Sequence, residues 1–109
     1  MNETEKSTDR KYSFHDLHSF KDYAGMVQLC APDRFPKWDW APQETLETAF
    51  EGLHYGFALS ESQGADTTVI AQCRELTGVA FDHYRANRMR DGFKTMEEML
   101  KILRRLPSQ

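Results

Sequence analysis

Apolar residues in the second half of the chain recur at steps of three and four. Val69/Ile70, Cys73, Leu76, Ala80 and Tyr84 fall on one helical stripe, while Gln72, Arg74, Glu75, Asp82 and Arg85 fall between them. Asp66, Thr67 and Thr68 offer acceptors for the unpaired N–H groups of a first turn, and Gly64 suits the end of a preceding helix. Gly78 interrupts this helix at a cost of about 1 kcal/mol relative to Ala. A close approach by a neighbouring helix would account for it; a tolerated glycine is the alternative. A further stripe, Met96, Met99, Leu100 and Leu103, precedes Arg104 and Arg105, cations suited to the negative end of a helix dipole. Pro107 then ends the helix.

The break between these two helices has two readings. Asp91-Gly92 is a turn dipeptide and Thr95-Met96-Glu97-Glu98 a capping box, which together favour a start at Thr95. The other reading turns at Ala86-Asn87-Arg88 and starts near Met89. In that register Leu76, Ala80, Tyr84, Asn87, Gly92 and Met96 stand near the large, small, aromatic, turn, small and aromatic positions of one repeat. The run then resembles a tetratricopeptide-repeat hairpin over about one repeat. It departs from that pattern at Met99, where Ala is usual, and in a displaced proline. The resemblance implies the geometry of a helix pair and no more.

Upstream, Leu17, Phe20, Ala24 and Val27 make the stripe of a first helix that Ser13 can cap with Asp16 reaching back. Pro32 ends it by Ala31. Leu46, Ala49/Phe50, Leu53 and Phe57 make another, entered through Pro42 with Glu44 and Glu47 at its positive end. Gly52 and Gly56, spaced by four, suit a groove for another helix. Between these two helices lies PDRFPKWDWAP, whose three prolines bar regular structure. Its aromatics Phe35, Trp38 and Trp40 either fold back as a lid over the bundle, the preferred reading, or form a ridge for a partner.

The pattern predicts an all-α fold: a small four-helix bundle of antiparallel helical hairpins over residues 13–30, 42–62, 66–88 and 93–106, with no sheet. Residues 1–12 are polar and read as a disordered leader; 13–109 read as one helical domain.

Composition narrows the function. A net charge of −3 and a pI near 5.8 give no general attraction to nucleic acid or anionic membrane. Charge is uneven: residues 33–66 are acidic and 85–105 basic, and the preferred reading has the two halves facing each other or solvating their helices. Two distant cysteines and no signal peptide or membrane span predict free thiols in a reducing cytoplasm. His15 and His18 could share a metal only if His54, His83 or Cys73 converged on them, and no zinc spacing is present. No phosphate loop, dinucleotide fingerprint or nucleophile elbow occurs.

The expectation is therefore a non-enzymatic module that binds another protein, without cofactor or metal: an adaptor, chaperone, inhibitor or immunity-type protein, or an accessory subunit. Phe35, Trp38, Trp40, Met89 and Met96 are the expected contact residues, and the same apolar surface would serve a homodimer. The alternatives are a nucleic-acid regulator using Arg85, Arg88, Arg90 and Lys94, which the acidic remainder disfavours, and a small His/Cys metal protein or enzyme.

Overall fold

The computed structural model describes residues 14–37 and 43–107, whose regular elements are helices, with no strand. We number the helices α1 (Leu17–Cys30), α2 (Leu46–Ser62), α3 (Thr67–Arg85) and α4 (Met89–Arg104). The proposed leader, Pro42 and both tryptophans lie outside the described residues.

Burial along each helix alternates steps of three and four. The buried positions include 17, 20, 24 and 27 in α1 and 46, 49, 53, 56 and 60 in α2. They are 70, 73, 77, 80 and 84 in α3 and include 92, 96, 99 and 103 in α4. That is the spacing of a bundle seam, in which each side chain inserts between residues of a facing helix. It places Thr77 in the core, where a stripe drawn through Leu76 had missed it. Leu76 sits half-buried at the edge.

Specific contacts fix the helix directions. Tyr84 packs on Gly92 beside the α3–α4 turn, while Cys73 reaches the Met99 carbonyl farther along, so α4 runs back along α3. Phe50 meets Phe81, and Arg74 bridges to Glu61 at 3.0 Å, so α3 runs back along α2. The Tyr23 hydroxyl donates to the Ala49 carbonyl at 3.3 Å, and Phe20 meets Phe57, so α2 runs back along α1. α1 also packs on α4, closing the ring; Lys21 donates to the Leu106 carbonyl. The α3–α4 pair is the most extensive. Small residues at Cys73, Thr77, Ala80 and Gly92 allow its backbones to come close. Gly56 does the same for α1, since a Cβ there would stand 2.0 Å from the Phe20 ring.

Three helix starts carry side-chain caps. Asp16 accepts from the Ser19 N–H at 2.8 Å and Ser19 reaches back, so α1 begins at Leu17 rather than at Ser13. That bonding to Ser19 holds the Asp16 carboxyl below the ordinary carboxylate value. Thr45 and Thr48 form the equivalent box on α2. Asp66 accepts from Thr68 and Val69, as its sequence position predicts. Gly64 leaves α2 with φ +103, a conformation that glycine adopts without steric cost.

The start of α4 corrects the capping-box reading. The helix begins at Met89, and the Thr95 hydroxyl, well inside it, donates to the Asp91 carbonyl at 2.8 Å. The turn is made by Asn87, with φ 65, a conformation that asparagine tolerates better than most residues. Packing decides the matter. Starting α4 at Met89 brings Gly92 beneath the Tyr84 ring, a contact that a start at Thr95 would forgo.

Candidate functional site

Of the five residues expected to meet a partner, two are part of the core. Phe35 is 5% exposed and Met96 is fully buried, so neither presents surface to a partner. For Phe35 this is the fold-back arrangement; Met96 fills the space between α4 and the rest of the bundle. Met89 is exposed, next to an exposed Phe93. Trp38 and Trp40, and the choice there between lid and ridge, lie outside the described residues. Phe14 and Tyr23 are buried residues that a stripe reading of α1 missed. Phe14 precedes the helix and packs on Phe20 and Tyr23 at ring distances of 5.0 and 4.9 Å.

The candidate chemistry of the histidines and cysteines finds no common centre: among the described residues no three His, Cys, Asp or Glu side chains come together as a metal site. His15 is exposed beside Asp16. His83 accepts from the Arg88 side chain at 3.1 Å. His54 lies edge-on to Phe57, and partial burial followed by the nearby Arg74 charge lowers its pKa, which favours the neutral ring. Burial pushes the Cys73 thiol up to about 11, which leaves almost no thiolate near neutral pH. Cys30 and Cys73 are both free.

An open surface groove lies between α2 and α3. Glu47, Phe50, Glu51 and His54 form one wall of an open groove of about 550 Å³. Glu75, Gly78, Val79, Phe81 and Asp82 form the other. Each wall spans eight residues of helix, about 10 Å at the helical rise, or two turns. The floor is apolar: the Phe50 and Phe81 rings lie 5.2 Å apart, and Val79 is 42% exposed. The rims are acidic, with two carboxylates on each wall and no lysine or arginine among the lining residues. At one end Arg85 stacks over Phe81 at 5.6 Å and approaches Glu47 at 3.9 Å. This pair spans the acidic and basic stretches of the sequence, whereas Arg90, Lys94 and Lys101 are exposed along α4.

Sequence spacing had identified the helices on both sides of this groove but not the groove itself. Its one sequence signal was Gly78, a glycine inside an otherwise regular helix. A Cβ added there would meet nothing within 4 Å, so the neighbouring helix that could have explained it is not among the described residues.

Comparison with protein-family models, with curated proteins and with solved structures found no match. Among the described residues, no helix is long and apolar enough to cross a membrane.

Proposed function

We propose that this protein is a non-enzymatic helical module that binds another protein, and that its contact surface is the α2–α3 groove. The observation that carries the reading is an apolar floor open to solvent between two rows of carboxylates. An apolar floor with a charged rim is the anatomy of a protein-binding patch. Binding rather than catalysis is supported by the state of the reactive groups: the buried Cys73 thiol is pushed well above neutral pH, and His54 edges onto an aromatic ring. Two free thiols fit a reducing cytoplasm as the place of work.

The test is a photo-crosslinking amino acid at Val79 in cells, with the same group at the exposed Glu98 on α4 as control. A discrete adduct with another protein from position 79 and none from position 98 is expected. Equal adducts from both positions, or none from position 79, would remove the groove as the contact surface.

A further inference from the structure

We infer that the occupant of this groove is a helical segment of another protein, with an apolar stripe flanked on both shoulders by lysine or arginine. The inference rests on the groove being the contact surface.

Gly78 is the first argument. Its φ is not positive, so the backbone does not demand glycine. Among the described residues a side chain there would meet nothing, so their packing does not demand glycine either. Inside a helix, glycine gives up stability that alanine would recover. The cost is accounted for if something beyond the described residues approaches this point closely, as a docked partner would. Gly78 lies between Glu75 and Asp82, and its missing side chain deepens the groove beside Phe81 and Val79.

Charge is the second. Glu75 and Asp82 stand on one rim, and Glu51 and Glu47 on the other, where Arg85 approaches Glu47 at 3.9 Å. An apolar ligand edged by acids would meet like charge on both sides, whereas one edged by cations is attracted and held in register. Shape is the third. A cleft between two antiparallel helices accepts a third helix by ridge-into-groove packing. Two turns of wall accommodate three anchors at about i, i+4 and i+7, the middle one over Gly78. The described residues hold helices and no strand, so they offer no sheet edge to an extended peptide.

A second copy of this chain is a poorer fit. The exposed apolar residues Met89 and Phe93, with Arg90 and Lys94, lie on α4, which packs on α3 and α1 but not on α2. Groove set against groove about a two-fold axis would bring carboxylates against carboxylates.

The experiment titrates the full chain with a synthetic amphipathic helix of about four turns. The peptide carries leucine along one stripe and arginine and lysine on both shoulders. Its twin carries glutamate in place of every cation. Amide chemical shifts should move along residues 47–54 and 75–82 with the cationic peptide, and its affinity should exceed that of the twin by about tenfold or more. The effect should weaken with added salt. Glu75→Lys with Asp82→Lys should reduce or reverse that preference. Gly78→Trp should abolish the shifts without loss of helicity; if that variant unfolds, the double charge variant decides.

Equal shifts in the groove with both peptides would leave the contact surface in place but overturn the cationic partner. Shifts elsewhere, or none with either peptide at millimolar concentration, would overturn the partner and the surface together. A dimer of the unliganded protein that Gly78→Trp dissolves would assign the groove to a second copy and overturn the proposal.

Discussion

Two hydroxyls in the core have no hydrogen-bond partner among the described residues: Thr77 Oγ1 and the Tyr84 hydroxyl. Burial pushes the Tyr84 hydroxyl up to about 12, so it stays protonated at neutral pH, a donor with nothing to receive it. A buried unmet hydroxyl costs on the order of 1–3 kcal/mol, while the ring that carries it packs usefully on Phe50 and Gly92. Tyr84→Phe keeps the ring and removes the cost. It should raise stability by about 1 kcal/mol in urea denaturation, and Thr77→Val should act in the same direction. A loss of stability in both would mean that the hydroxyls are satisfied by buried water. Ser60, the other fully buried polar side chain, has no such cost, since its hydroxyl donates to the Gly56 carbonyl at 2.8 Å.

Helix ends show how local and tertiary signals divide the work. Asp66 reads as a cap in the sequence and is one in the structure, because its carboxylate needs only the N–H groups two and three residues ahead. Thr95 reads as a cap and is not one. Its capping box had a local competitor at Asn87, and the contact that selects between them lies between Tyr84 and Gly92, on different helices. The two threonine and aspartate signals therefore predict different responses. Asp66→Ala should lower stability by about 1 kcal/mol, and Thr95→Ala should change it by less than half as much, both read from thermal or denaturant unfolding. Similar losses from both would restore Thr95 to a capping role. The corresponding miss at the first helix has a simpler cause. Ser13-Phe14-His15-Asp16 and Asp16-Leu17-His18-Ser19 are both plausible starts, and Ser19, a reciprocal partner for Asp16, completes the second.

The whole molecule is a ring of four helices, each in contact with its chain neighbours and the last with the first. Its tightest seam joins α3 and α4; α1 is attached through fewer contacts, among them the Phe20 ring seated over Gly56. Gly56→Ala would drive a methyl into that ring. It should cost roughly 1–3 kcal/mol or more and release α1 first, seen as faster amide exchange in α1 than in the α3–α4 pair. Uniform exchange across all four helices would show instead that the bundle opens as one unit. Gly78→Ala, at a position of the same residue type with open space above it, should stabilise. The contrast between the two glycines cannot be drawn from sequence, since each is a glycine inside an amphipathic helix and only the packing around it tells them apart.

By itself, the order of residues determined that the described chain is helical, where each helix lies to within a few residues, and most of its buried face. Those properties depend on spacing along one strand of backbone and on side chains reaching the next turn. Tertiary structure alone decided that Phe35 and Met96 are core rather than surface, that α4 begins at Met89, and that an acid-edged cleft lies between α2 and α3. Exposure, a choice between two competing turns, and a groove with walls from different helices are set by which surfaces meet, and those meetings join residues distant in the chain.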